Sequence, residues 1–345
     1  MWNIVYLSDL HIFGAELFKG GVNKMSKSME SAKPPSRGLA KRKKNIILLS
    51  MLAPGAIWLI LLRYLPLFGI VIAFQKFEIY TKNPTLFNNI KHSKWVGFKN
   101  FEFLFTSSDS WKIIRNTVGY NALWIVLGTV IAVAFAIMLS LLTKKFVAKA
   151  YQTVMFFPYF LSWVVASYFL MAFLDPTYGL IVHLQKQLGM VPTNWYMVSK
   201  PWPIILTIAY LWKNIGYSTV LYLAAITGID TSQYEAASID GANKRQQIRY
   251  ITIPHLKTMI IILFIMSVGR IVNSDFGLFY QVPQNSGPLF PATQVLDTYV
   301  YRAFMATNNP GMSTAASLLQ NVVGFFCVLT ANSIVRRIDE DSSLF

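Results

Sequence analysis

Six stretches of this chain are apolar for about 20 residues or more, near 46–74, 115–141, 153–174, 203–226, 256–279 and 315–335. A helix rises about 1.5 Å per residue, so each stretch is long enough to cross a hydrocarbon core about 30 Å thick. Lipid offers the backbone no hydrogen-bond partner, so each crossing must satisfy its own amides as helix. Of the 345 residues, 54% are hydrophobic and only 13% charged, a balance that excludes an ordinary soluble domain. The expected fold is therefore an all-α integral membrane protein with six transmembrane helices. Residues 1–45 form a basic tail, 46–338 the membrane domain and 339–345 a short carboxyl-terminal tail.

The net charge of +16 does not point to nucleic acid, because the basic residues sit in short loops and tails and not on one folded face. Lys33, Arg37 and Lys41 to Lys44 precede the first span, and Lys144, Lys145 and Lys149 fill the second connection. Lys244, Arg245 and Arg249 occupy the fourth, and Arg336 and Arg337 follow the last. With six spans, all of these fall on one side, which the positive-inside rule makes cytoplasmic, with both termini. The first outer connection disagrees: Lys76, Lys82, Lys91, Lys94, Lys99 and Lys112 outnumber Glu78, Glu102 and Asp109.

Cys327 is the only cysteine, and the four histidines, His11, His92, His183 and His255, have no ligand spacing. The chain has no G-x-x-x-x-G-K-[ST] loop, so nucleotide chemistry would have to come from another polypeptide. Asp9, His11 and Glu16 interrupt the amino-terminal segment, so it is not read as a signal peptide. Gly20-Gly21 lies just before Met25 and can be encoded by a ribosome-binding sequence. The expectation is that translation starts at Met25 and leaves residues 1–24 unmade.

Between the fourth and fifth stretches the chain turns polar, reading EAASIDGANKRQQIRYITIP from Glu235 to Pro254. Ser232 and Glu235 have the spacing of a capping box, Gly241 suits a left-handed stop, and a second helix is expected over 243–251. Pro254 limits how that helix can enter the fifth span. So short a hairpin is marginal alone and needs a partner. Ala236, Ala237 and Gly241 leave room for close approach, with Tyr234 and Ile239 as apolar anchors.

Glu235-Ala236-Ala237, three residues, Gly241, nine residues and Ile251-Thr252-Ile253-Pro254 resemble the EAA loop of ABC importer permeases. Only Ile253 departs, standing where that pattern has Leu. The resemblance implies a type I ABC importer-like fold in a bacterial cell membrane, with the loop as a coupling hairpin docked into an ATPase subunit. It assigns Glu235, Ala236, Ala237, Gly241, Ile251 and Pro254 to that coupling. Gly97-Phe98-Lys99-Asn100-Phe101 before Trp111 and Asn116-Thr117 is similar to carbohydrate permeases of the maltose-permease type. The segments 269–280 and 297–302, with the ending Ser342-Ser343-Leu344-Phe345, look like permeases for oligosaccharides and polysaccharide fragments in Gram-positive bacteria. The implied partners are a second homologous permease, two cytoplasmic ATPases carrying ATP and Mg²⁺, and a lipid-anchored sugar-binding protein outside. No cofactor is implied on this chain.

Sugars are gripped by amides and by aromatic faces, and such groups recur at helical spacing. Asn116, Tyr120 and Trp124 share a face of span two, and Tyr210, Lys213, Asn214 and Tyr217 one of span four. Arg270, Asn273, Ser274 and Gly277 are expected together on span five. Polar residues also bind helices to each other, so these are candidates for a sugar path and equally for packing. Ionisable groups are the most costly in lipid, which singles out Arg63, Lys213, Arg270 and Asp275. Three of those four are cationic, and an acidic sugar would match them. Pro283 to Pro288 opens an outer connection expected to hold a short interfacial helix around Asp297 to Phe304.

The leading reading is a non-catalytic transport subunit moving oligosaccharides. The alternatives are a membrane enzyme of glycan or lipid synthesis, an ABC permease for a non-sugar solute, and a secondary transporter. The enzyme lacks a cluster of carboxylates or histidines, and the secondary transporter lacks an evident internal repeat.

Overall fold

The computed structural model describes residues 37–80, 85–340 and 343–344. The Met25 start and Lys82 lie outside the described residues. The chain divides into a unit ending at Phe68 and a second running from Gly69 to Phe345. In the first, a helix from Arg37 passes into a π turn, Ile60–Tyr64, that carries an exposed Arg63.

Among the described residues, five helices are long and apolar enough to span a membrane: Asn45–Phe74, Ser110–Ser140, Trp202–Thr227, Lys244–Val268 and Pro310–Ile338. The pair Lys145–Phe160 and Trp163–Leu174, bent by 102°, makes a sixth candidate span when taken together. The expected unbroken third span is therefore corrected. Pro158 tightens the first helix into a 3-10 turn, Leu161 is extended, and the Ser162 hydroxyl caps the next helix by accepting from Val165 N–H.

The fifth span is also corrected. The helix stops at Val268, residues 269–275 are irregular, and a short helix resumes over Phe276–Gln281. Arg270, Asn273, Ser274 and Gly277 therefore do not share a helical face. The sequence Asn273-Ser274-Asp275 favours this stop, since short polar side chains compete for backbone groups. Asp275 caps the following helix by accepting from Leu278 N–H.

Within the second unit, two apolar clusters hold the spans. One gathers Tyr120, Trp124, Trp202, Leu206 and Phe279. The other gathers Ala132, Ala136, Tyr222, Ile226 and Leu256. Small residues set the closest approaches: a Cβ on Gly216 would lie 1.9 Å from the Met155 carbonyl oxygen, and one on Gly324 2.3 Å from that of Gly269. The connection before the sixth span contains a short helix, Leu296–Thr307, covering the stretch 297–304 where one was expected.

Candidate functional site

The hairpin between the fourth and fifth spans begins with the helix Thr231–Ile239. Its cap is Asp230, whose Oδ1 accepts from Ser232 N–H at 2.9 Å, and not the expected Ser232–Glu235 box. The box lies one turn on: Asn243 Oδ1 accepts from Gln246 N–H at 3.0 Å and Gln246 Oε1 from Asn243 N–H at 2.8 Å. Asp230 wins the first cap because its carboxylate reaches the free amides directly and leaves Glu235 pointing to solvent. Hydrogen bonds from the Ser232 backbone N–H and from its side chain also hold the Asp230 carboxyl below the usual carboxylate range.

Gly241 has φ +81°, Gly241 N–H donates to Ser238 O at 3.1 Å, and Ala242 N–H donates to Ala237 O at 2.8 Å. That pair of bonds is the Schellman stop, and it needs a residue without Cβ at the left-handed position. From Lys244 a single helical rod runs to Val268. A π turn at Ile248–Thr252, closed by Ile253 N–H to Ile248 O, shifts the ladder just before Pro254, so the proline sits in the rod without breaking it.

The hairpin is fastened to the rod by groups that sequence reasoning missed. Tyr234 Oη lies 2.9 Å from Thr252 Oγ1, and Gln247 Nε2 donates to Ser238 Oγ at 2.8 Å. Gln247 and Thr252 are buried. Tyr234 therefore faces the rod and is not the outward anchor expected of it, whereas Ile239 is exposed. Glu235, Ala236 and Gly241 are exposed, Ala237 and Ile251 half-buried, and Pro254 exposed. The arrangement is a short helical stub with a small-residue outer face, turned back at Gly241 and fastened by side chains to a transmembrane rod.

In the membrane region, Lys213 is buried, and its Nζ donates to the carbonyls of Tyr159, at 2.9 Å, and Leu161. These are carbonyls that the bend of the third span leaves without helical partners. Lys213 Nζ also stands 5.4 Å from the centre of the Trp163 ring, whose Nε1 donates to Asp275 Oδ2 at 2.6 Å. Lys213, Trp163 and Asp275 thus link the two broken spans. Gly277 sits where a Cβ would meet Trp163 Cδ1 at 2.5 Å.

The irregular stretch 269–275 is held by side chains from three elements. Asn121 Nδ2 donates to the carbonyls of Ile271 and Asn273, both at 2.8 Å, and Gln320 Nε2 to Val272 O at 2.9 Å. Asp297 Oδ2 accepts from Ser274 N–H at 2.6 Å. Burial pushes the Asp297 carboxyl above the usual range, against the hydrogen bonds that favour its charge. An amide inside an apolar span was the only signal for Asn121 and Gln320.

The face Asn116, Tyr120 and Trp124 is real as a face, and its polar atoms are occupied. Asn116 Nδ2 donates to Pro291 O and Gln294 O, Tyr120 Oη to Ala292 O, and Trp124 Nε1 to Thr207 Oγ1. Trp124 stacks on Tyr210 at 4.0 Å. Asn214 donates to Tyr210 O within its own helix. Tyr217 is exposed and stacks on Tyr159 at 4.7 Å, and Arg270 is exposed.

Comparison with known proteins gives a consistent likeness. The sequence pattern of the family described as "Binding-protein-dependent transport system inner membrane component" fits residues 125–339. The polygalacturonan/rhamnogalacturonan transport system permease protein YteP of Bacillus subtilis (strain 168) is 32% identical over 87% of this chain and 93% of its own. Protein LplB of the same strain is 28% identical over 88% and 92%. A solved bacterial ABC transporter involved in import of the acidic polysaccharide alginate contains a chain that superposes with a TM-score of 0.75. Its identity is 29%, covering 88% of this chain and all of that one.

Proposed function

Because this chain belongs to the family of binding-protein-dependent transport system inner membrane components, as an ABC importer permease of the carbohydrate-uptake group, we propose that it carries acidic oligosaccharides, fragments of polyuronates, into the cell. As a permease component it is a multi-pass plasma-membrane protein and is not itself catalytic. The partners proposed are a second homologous permease, two ATPase subunits holding ATP and Mg²⁺, and a lipid-anchored sugar-binding protein.

The observation that carries this reading is the stub whose exposed Glu235 and Ala236 are fastened, across the Gly241 turn and by the Tyr234–Thr252 and Gln247–Ser238 contacts, to a rod ending at the break of the fifth span. An ATPase closing on that stub displaces the rod along its length, because a hydrogen-bonded helix transmits thrust without bending. The rod ends among Asn121, Gln320 and Asp297, whose bonds to 269–275 can exchange as the spans shift. In this role Glu235, Ala236, Ala237 and Gly241 meet the ATPase, while Ile251 and Pro254 belong to the rod.

The sugar path draws on the exposed members of the candidate set, Tyr217 and Arg270. Tyr217, with Tyr159 stacked on it, offers rings to sugar C–H faces, and Arg270 offers a charge to a carboxylate. Lys213, Asn214, Asn273 and Asp275 shape the path by holding its walls, and Asn116, Tyr120 and Trp124 hold its outer end.

The test is uptake into vesicles by the reconstituted complex. ATP should drive entry of a short galacturonide, and Glu235→Ala should abolish it while leaving insertion intact. Transport driven by an ion gradient alone, or product formation without transport, would select one of the rival classes.

A further inference from the structure

The first outer connection carries an excess of lysine on the side where such charge is least expected. Its geometry gives that charge a use. Phe74 is the last residue of the first span, and Trp95, Phe98 and Phe101 gather on it at 5.6, 5.5 and 5.6 Å between ring centres. The backbone fixes the cluster there. Val96 N–H donates to Phe74 O at 2.8 Å, and Gln75 pairs with Trp95 and Lys76 with Lys94 in a two-residue ladder. Asn100 Nδ2 donates to Ala73 O and Gln75 O. Gly311, in the first turn of the sixth span, packs on that amide.

The segment 94–101 is thus bolted to the point where the apolar run of one span ends and that of another begins. Its outer aromatics are left bare: Trp95 is 66% exposed and Phe98 74%, as is Trp111 at the start of the second span. Each has a lysine as sequence neighbour, in Lys94-Trp95, Phe98-Lys99 and Trp111-Lys112. Lys112 pairs with Asp109 and Lys76 with Glu78, while among the described residues no carboxylate pairs with Lys91, Lys94 or Lys99. A protein partner would favour aromatics without interleaved lysines, since lysine is depleted from interface cores. Aromatic rings beside snorkelling ammonium groups suit a headgroup layer, where the ring rests at the acyl boundary and the charge reaches phosphate.

We infer that residues 91–112 form an apron seated in the outer leaflet, with Trp95 and Phe98 at the acyl boundary and Lys91, Lys94 and Lys99 engaging anionic lipid headgroups. The apron anchors the outer ends of the first and sixth spans to the bilayer while the coupling rod moves.

The experiment places a bimane on Phe98→Cys in a Cys327→Ser background. The full chain is assembled with its partners in phosphatidylcholine nanodiscs, with or without phosphatidylglycerol. Nitroxide on the lipid headgroup should quench the dye strongly and aqueous iodide weakly. Phosphatidylglycerol should raise the lipid quenching roughly twofold or more, and K91Q/K94Q/K99Q should remove that increase. Iodide quenching at the level of free dye would overturn the proposal. So would protection from both quenchers, which would assign the face to the second permease. Lipid quenching indifferent to phosphatidylglycerol would overturn the role of the lysines.

Discussion

The hydroxyl of Tyr234 in the hairpin lies 2.9 Å from the hydroxyl of Thr252 in the rod, and this bond joins the exposed stub to the fifth span. With Gln247 donating to Ser238, it makes the hairpin and the rod one body. Tyr234→Phe removes the bond with little change of shape, at a cost of about 1 kcal/mol. The expected result is a several-fold loss of ATP-driven uptake with ATP hydrolysis largely kept, read by measuring both on the same vesicles. Equal loss of both would mean that the bond serves only folding.

Lys213 spans the bend in the third span by donating to two carbonyls that no helix satisfies. Lys213→Met keeps the bulk and strips both bonds, leaving polar groups unmet in an apolar interior at about 1–3 kcal/mol each. Detergent-solubilised Lys213→Met should melt well below the parent, and below Asn214→Ala, whose amide only serves its own helix.

The glycines divide cleanly. Gly216→Ala drives a methyl into the backbone of the neighbouring helix at 1.9 Å and Gly324→Ala into the backbone at the break of the fifth span at 2.3 Å, and both should fail to accumulate as folded protein. Gly119→Ala and Gly128→Ala meet nothing within 4 Å and should express as the parent does, or slightly better, because alanine favours helix. Gly241→Ala meets no clash either, so only its φ of +81° counts, about 1–2 kcal/mol.

Asp297 supplies a pH dependence with a definite sign. Burial raises its native pKa above the value of 3.8 that it has when unfolded, so the native state binds its proton more tightly. Its contribution to stability is fully present below pH 3.8 and is lost as pH rises through the native pKa. Asp175 and Asp230 are shifted the other way and lose stability on acidification, so the whole-protein profile mixes the two. The difference between parent and Asp297→Asn isolates the term. Relative to the variant, the parent should gain melting temperature as pH falls from 7 towards 4.

Periodicity revealed the spans because apolar runs of this length admit few other structures. The stub was legible for the same local reason, since a left-handed glycine stop and a small-residue face are written within about ten consecutive residues. The breaks were not. Pro158 and Asn273-Ser274-Asp275 are visible as helix breakers, but a break inside a membrane is tolerable only if distant groups satisfy it. Asn121 reaches residues about 150 positions away, and Asn116 and Tyr120 reach 291–294 from further still. No helical spacing encodes such pairings. That is why the bonds of Asn116 and Tyr120 to the backbone of 291–294 were not legible in the face they share with Trp124. The capping box was misplaced because Asp230 and Ser232 both fit the start of one short helix, and only the geometry of the turn decides between them.

The central claim is that the 231–254 stub converts ATPase closure into movement of the fifth span. It is tested most directly by a photo-crosslinker at Ile239, whose exposed side chain faces away from the rod contacts, in the assembled complex with and without ATP. The account predicts a crosslink to the ATPase subunit that shifts with nucleotide, and its loss together with uptake in Glu235→Ala. Full ATP-driven uptake of galacturonide with no ATPase captured from Ile239, or an unimpaired Glu235→Ala, would contradict it.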